Sequence, residues 1–288
     1  MTGYSSARTA VLLPDLREAP PGCQEGSSPG VPCAALDVCM VDDPQAPSST
    51  CLDRGPAQAV RIRFTSSVDN VGDGPLVLYG HRESTRTATM SVRQAFQAGG
   101  SGPIPQSFNE AQQPIPGSMY YEPSKSHVHW HFLDFEHFEL RTATGQTLVT
   151  DRKNGFCLGD RYTTYDAGTL RNTPDPDDTT TPQGTFAKFL ADNNCRHHEP
   201  NALDVTEGIS VGHGDDYKYD VDYQWLDITT IPTGTYTLVA TANPDRRLQE
   251  TDYTNNSSSL AVSIKWHTSK TQAPDLRVVR VCRGTDRC

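Results

Sequence analysis

The chain has 288 residues, of which 35% are hydrophobic and 21% charged, so it can bury a sizeable core as one large domain or two smaller ones. Its formal net charge of −10, without a Lys/Arg-rich run, argues against nucleic acid as a partner and favours cationic substrates. No stretch approaches the ~20 apolar residues of a membrane span. No export signal is recognisable in the chain.

The N-terminal segment, residues 1–55, is rich in Cys, Pro and Gly and is expected to pack on the core. It holds four of the eight cysteines, Cys23, Cys33, Cys39 and Cys51, which two local disulfides would join in a pairing that the sequence leaves open. The even number of cysteines and the absence of paired CxxC clusters indicate disulfides throughout. Disulfides form in an oxidising compartment, so we expect a secreted protein.

Residues 56–268 show short alternating apolar runs separated by turn residues. Runs at 60–64, 76–79, 236–241 and 259–264 predict strands, each next to Gly, Pro or Asn signals. The pattern predicts an all-β fold: a β-sandwich core with long, disulfide-tied loops and little helix.

Two segments, 99–117 and 173–182, predict long loops because they are rich in Gly, Pro, Gln, Thr and Asp. Cys157 and Cys195 flank the second segment and would tie its ends together. The tail, residues 269–288, holds Cys282 and Cys288, which would close a small loop.

Residues 127–137 hold four of the nine histidines. On a strand, His127, His129 and His131 would share one face, and imidazole nitrogens suit copper or zinc. Neighbours on that face lie ~6.6 Å apart, so two ligands converge easily. The third requires a bulge or bend, which we place near Trp130 or His131, or another region of the chain supplies it. His137 lies too far along for the same ion and is predicted to act as a base or to support the site. Residue types alone leave copper and zinc open.

The segment from His127 to Leu140 resembles the copper motif of the lysyl oxidase family, in which three alternating histidines precede an Asp/Phe stretch and a further histidine. Further blocks resemble the family in the same order, at 153–158, 208–217, 224–229 and 252–256. The resemblance covers roughly residues 120 to 264. The abundance of Thr, Asp, Pro and Arg is typical of a bacterial member.

The resemblance implies a self-derived organic cofactor, lysine tyrosylquinone, formed when copper oxidises a tyrosine and a lysine amine adds to it. Lys153 and Tyr217 fall at the two positions. A phenol near Cu(II) can become an electrophilic quinone, and a neutral amine is the nucleophile that adds to it. Lys153 must therefore lose its proton.

By the same resemblance, the chain would convert primary amines or peptidyl lysine to aldehyde with release of ammonia and hydrogen peroxide, consuming dioxygen. Proton abstraction from the substrate requires a base of near-neutral pKa. His137 fits this role, and Asp134, Asp220 and Asp222 are alternatives that the sequence does not rank.

The chain also departs from animal members of the family. His213 and Tyr223 replace two cysteines, Arg152 replaces a histidine beside the cofactor lysine, and His213 is a candidate to compensate. Two rival interpretations follow. One is a secreted copper-binding β-sandwich module without the quinone, and the other is a zinc hydrolase with Glu136 or Glu139 as base.

Overall fold

The computed structural model describes residues 10–46, 50–124, 127–151, 153, 155–268 and 271–288. Its elements, in chain order, are β1 Val11–Leu12, β2 Leu16–Glu18, β3 Leu36–Val41, β4 Ala59–Phe64, β5 Ser66–Asn70, β6 Leu76–His81, β7 Thr89–Ala95, β8 Gln97–Ala98, β9 Gln113–Glu122, β10 His129–Leu133, β11 Glu136–Arg141, β12 Thr147–Thr150, β13 Gly155–Phe156, β14 Tyr162–Thr163, the 3-10 helix Ala167–Thr169, α1 Pro182–Ala191, β15 Asp204–Ile209, β16 His213–Tyr217, β17 Trp225–Asp227, β18 Gly234–Ala242, β19 Ser257–Lys265 and β20 Asp275–Cys282.

The strands form antiparallel sheets, so the predicted all-β class with little helix is confirmed. A six-stranded sheet has the order β13-β10-β9-β7-β6-β15, and a five-stranded sheet has the order β12-β11-β18-β19-β20. Two smaller sheets, β14-β16-β5-β2 and β17-β4-β3, and the pair β1-β8 complete the architecture. No helix among the described residues is long and apolar enough to cross a membrane.

The core lies where these sheets face one another. Phe64 of β4 packs edge-on against Phe138 of β11 with ring centroids 5.0 Å apart, and Phe138 meets Phe156 of β13 at 6.5 Å. Residues of β11 alternate between buried and half-buried, as expected for a strand with one face on the core. Aromatic contacts therefore join three sheets beside β10 and β13, the strands that carry or flank the predicted site.

The predicted strands at 60–64, 76–79, 236–241 and 259–264 correspond to β4, β6, β18 and β19. The predicted loop at 99–117 is shorter than expected, because β9 begins at Gln113. The segment 173–182 is a loop that leads into α1, where Thr181 caps the helix by accepting a hydrogen bond from the Gly184 amide at 3.1 Å.

Four disulfides join all eight cysteines, and Cys157–Cys195 and Cys282–Cys288 are paired as predicted. The first four cysteines, whose pairing the sequence leaves open, form Cys23–Cys33 and Cys39–Cys51. The N-terminal segment contributes β3 to the sheet with β4, and the C-terminal tail contributes β20 to the five-stranded sheet. The division into segments 1–55, 56–268 and 269–288 stays a prediction.

Candidate metal and cofactor site

The three predicted ligand histidines come from a turn and a strand. His129 and His131 lie on β10, whereas His127 lies in the turn before it, where Val128 has a φ of 46°. The amides of His127 and Val128 both donate to the Ser124 carbonyl, at 3.0 and 3.1 Å. The left-handed conformation of Val128 folds the chain back so that His127 joins the other two. The bend near Trp130 or His131 was therefore predicted in the wrong place, because the ladder from His129 to Phe132 is regular.

The three imidazoles pack ring against ring. Their centroids are 5.5 Å apart for His127 and His129, 4.9 Å for His127 and His131, and 4.7 Å for His129 and His131. The Nε2 atoms of His129 and His131 are 2.7 Å apart. With metal–nitrogen bonds of ~2 Å, rings that are neighbouring ligands of one ion have centres roughly 4.5 to 5.5 Å apart, and rings on opposite sides of it have centres up to about 6.4 Å apart. The observed spacing fits this range.

Within the described part of the chain, no group of three or more His, Cys, Asp or Glu side chains is arranged so that it could hold a metal ion in the positions that the side chains occupy here. The histidines nevertheless meet the chemical requirements of ligands. His127 Nε2 is buried without a hydrogen-bond partner, which is costly unless another group binds it. The donor chemistry of these histidines therefore suits a copper or zinc ion.

Burial lowers the pKa of all three imidazoles. The pKa of His127 falls to about 4 and that of His129 to about 3, and that of His131 lies well below its ordinary value. In each case desolvation is the largest cause, and the positive charge of Lys153 adds to it. At neutral pH the rings are therefore uncharged, which is the form that binds metal ions.

His127 is held from its Nδ1 side by two polar residues. The Ser124 hydroxyl lies 3.2 Å from this nitrogen and donates to the Asp222 carboxylate at 2.8 Å. Asp222, itself buried, has an oxygen 3.8 Å from the same nitrogen. Such contacts orient an imidazole and leave Nε2 for an ion.

Lys153 and Tyr217, which are far apart in the sequence, meet beside these histidines. The Lys153 Nζ atom lies 4.6 Å from the centroid of the Tyr217 ring and 5.3 Å from that of Phe156. Lys153 immediately precedes the region of β13, which pairs with β10, and Tyr217 ends β16 of the neighbouring sheet. The two sheets therefore bring a primary amine over a phenol ring.

The surroundings of Lys153 make its ammonium group lose its proton more readily than an exposed lysine does. The side chain is buried, and desolvation lowers its pKa to about 8, although four carboxylates, at Glu122, Glu136, Asp222 and Asp215, partly oppose the effect. A substantial fraction of the amine is therefore neutral at mildly alkaline pH. A neutral amine is a nucleophile, and an ammonium group is not.

The phenol of Tyr217 is fixed by the backbone of Cys157. The Cys157 amide donates to the Tyr217 oxygen, and the ring packs edge-on against Phe156 with centroids 4.9 Å apart. Burial, and after it the charge of Asp215, raises the pKa of Tyr217 well above its ordinary value. The Cys157–Cys195 disulfide thus anchors the segment that positions the phenol.

Comparisons with known proteins match part of the chain. Residues 175–273 match the lysyl oxidase family model. Protein-lysine 6-oxidase of Homo sapiens is 33% identical over 132 residues, which are 45% of this chain and 25% of that protein. The Sus scrofa protein of the same name is 33% identical over 45% of this chain and 41% of its own length. Lysyl oxidase homolog 1 of Homo sapiens is 34% identical over 45% of this chain and 18% of its own length.

The chain therefore spans less than half the length of the lysyl oxidases that it matches. The family-model match contains Tyr217 but begins after Lys153 and after the three histidines. The roles of these four residues accordingly depend on the geometry described above.

Other predicted residues lie apart from this cluster. His137 is on the half-buried face of β11 and pairs with Asp151, with 2.9 Å between the His137 Nδ1 and Asp151 Oδ1 atoms. Asp134 is exposed and pairs with Arg247, and Asp220 is exposed. His213 hydrogen-bonds the Val211 carbonyl at the opposite end of β16 from Tyr217. Arg152 lies outside the described residues.

Glu136, considered above only as a possible hydrolase base, lies on the opposite face of β11 from His137, towards the core. It is buried and accepts a hydrogen bond from the Ser66 hydroxyl at 2.8 Å. Desolvation raises its pKa to about 8, against the opposing effects of Ser66 and the Lys153 charge. The sequence contained a sign of this placement, because adjacent residues on a strand face opposite sides of the sheet and Glu136 is next to His137.

His197 was missed altogether. Its ring centroid lies 6.0 Å from that of His129, on a loop that the sequence did not connect with the histidine strand. The disulfide expected between Cys157 and Cys195 was a usable signal, because it ties residues 195–198 to the segment that follows Lys153.

Proposed function

We propose that this chain is a copper-dependent amine oxidase that oxidises primary amines, including peptidyl lysine, through a quinone made from Lys153 and Tyr217. The position of the Lys153 amine over the Tyr217 ring, beside three neutral imidazoles, carries the proposal. The similarity to protein-lysine 6-oxidases supports it. The four disulfides favour an exported protein.

His127, His129 and His131 would hold the copper ion, which would supply the oxidising power that converts the phenol into a quinone and restores it after each turnover with dioxygen. The protein contributes the positions of the reacting groups. Lys153 presents its neutral amine to the Tyr217 ring in a site where burial excludes water. The Cys157 amide holds the oxygen of the ring, so that the ring edge faces a fixed direction.

The base that removes the substrate proton was predicted to be His137. Burial and charge favour Glu136 instead. Its side chain faces the core, its pKa of about 8 is close to neutral pH, and its charge acts on Lys153. His137 faces the other side of the sheet and is paired with Asp151. We therefore place Glu136 first and keep His137 as the alternative.

Amine-dependent release of hydrogen peroxide tests the proposed function. The protein, loaded aerobically with Cu(II), should release peroxide in a panel of primary amines and lysine peptides, and Tyr217→Phe should release none. Tyr236→Phe is the matched control, since Tyr236 is a buried tyrosine of β18 distant in the fold. Copper binding without peroxide release would instead support a copper-binding module, and zinc-dependent hydrolysis would support a hydrolase.

A further inference from the structure

A loop outside the predicted site brings a fourth imidazole to the histidine cluster. His197, an exposed residue on the loop of residues 193–199, has its ring centroid 6.0 Å from that of His129. His129 is the outermost member of the cluster, because it is half-buried whereas His127 and His131 are buried. His197 therefore lies at the side from which solvent reaches the cluster.

The 193–199 loop is tied to the histidine strand along its length. The Trp130 amide donates to the Cys195 carbonyl at 2.9 Å, and the His198 amide donates to the Val128 carbonyl at 2.8 Å. The Trp130 indole donates to the Glu199 carbonyl at 3.0 Å. These bonds bracket His197 on both sides and fix its backbone relative to His129.

The same loop is also fixed from its other end. Asn193 donates from its side-chain amide to the carbonyls of Leu158 and Thr206, at 2.9 and 3.1 Å. The disulfide from Cys195 to Cys157 joins it to the segment that holds Tyr217. Hydrogen bonds and a disulfide therefore hold the loop that carries His197 against the segments around it.

The distance allows the two rings to share an ion. With a metal–nitrogen bond of ~2 Å, each ring centre lies roughly 3.2 Å from the ion, so two rings on one ion have centres at most about 6.4 Å apart. The 6.0 Å between His129 and His197 falls within this limit. His197 is exposed, so its imidazole can also turn about its side-chain bonds without moving the backbone.

We infer that His197 is a fourth imidazole ligand of the copper ion, closing the solvent side of the cluster formed by His127, His129 and His131. Four nitrogen donors suit the square or tetragonal preference of Cu(II) better than three. The inference rests on the proposed function, since it takes the site of the other three histidines as given.

Metal binding, measured without turnover, tests the inference. In a Tyr217→Phe background, which prevents cofactor formation, the Cu(II) affinity is measured by competition with a chelator and the bound nitrogens by electron paramagnetic resonance. His197→Ala should lower the affinity about tenfold or more and remove one nitrogen from the spectrum. His267→Ala is the matched control, because His267 is partly exposed and pairs with Asp275 away from the cluster.

The outcomes separate this inference from the proposed function. Copper bound with unchanged affinity and spectrum in His197→Ala would overturn the inference, and so would a loss seen in His198→Ala alone. If the parent protein bound copper no better than His127→Ala, the copper site itself would be wrong and both proposals would fall. Thermal unfolding of each variant checks the fold, and the exposed position of His197 predicts no change.

Discussion

Replacing Lys153 by methionine should make the protein more stable before copper is added. Methionine has a similar length without the charge, and Lys153 is buried in the core of the site. Burial disfavours the ammonium form, which is the reason that the pKa of Lys153 falls to about 8 from its ordinary 10.5. The buried ammonium group of Lys153 is therefore expected to lower the free energy of unfolding.

The magnitude follows from the two pKa values. Each pH unit corresponds to about 1.4 kcal/mol, so the interval from about 8 to 10.5 amounts to about 3.5 kcal/mol. Below pH 8 both the folded and the unfolded chain carry the proton, and the folded state bears the whole cost. Above pH 10.5 neither carries it. Lys153→Met should therefore raise the free energy of unfolding by up to about 3.5 kcal/mol at pH 7, and this gain should vanish near pH 10.5.

Urea unfolding of the metal-free protein at pH 7, 9 and 10.5 measures this gain. Lys188→Met on the exposed face of α1 is the matched control and should change stability by less than about 0.5 kcal/mol at every pH. If Lys153→Met lowered the free energy of unfolding, or raised it by the same amount at every pH, the reasoning that burial lowers the pKa of Lys153 would be refuted.

Three further predictions concern the proposed base, the disulfide beside Tyr217 and the turn before His129. Glu136→Gln should reduce amine-dependent peroxide release about 100-fold or more, whereas His137→Gln should leave it within about threefold; the reverse order would restore His137 as the base. Replacing Cys157 and Cys195 together by serine should cost about 2 to 5 kcal/mol in urea unfolding, and an unchanged midpoint would contradict this anchoring role. Val128→Asn should leave the free energy of unfolding in urea unchanged, because asparagine tolerates the φ of 46° at this position. A decrease of more than about 1 kcal/mol would mean that the contacts of the valine side chain matter more than the turn conformation.

The sequence predicted those parts of the site that depend on local pattern. Alternation predicted that His129 and His131 share a face, and they do. The bend that admits His127 was misplaced, because a positive φ at a valine leaves no sign in composition or periodicity. The strand pattern was likewise sufficient for the all-β class but not for the order of strands in the sheets, which depends on long-range pairing.

The long-range contacts could not be derived from spacing. Lys153 and Tyr217 were paired only through a family resemblance, and the structure places them together through two separate sheets. Glu136 acts on Lys153 because it lies on the core face of β11, and His197 lies near His129 because a disulfide-tied loop carries it. Both contacts require the three-dimensional arrangement of the sheets.

The most direct test of the central claim is peptide mapping after aerobic copper loading. After reduction of the disulfides and proteolysis, mass spectrometry should find the peptides containing Lys153 and Tyr217 joined as one species that has gained an oxygen atom and lost hydrogen atoms. The species should be absent when a chelator replaces copper. Two separate peptides of unmodified mass, in protein shown to hold copper, would contradict the account.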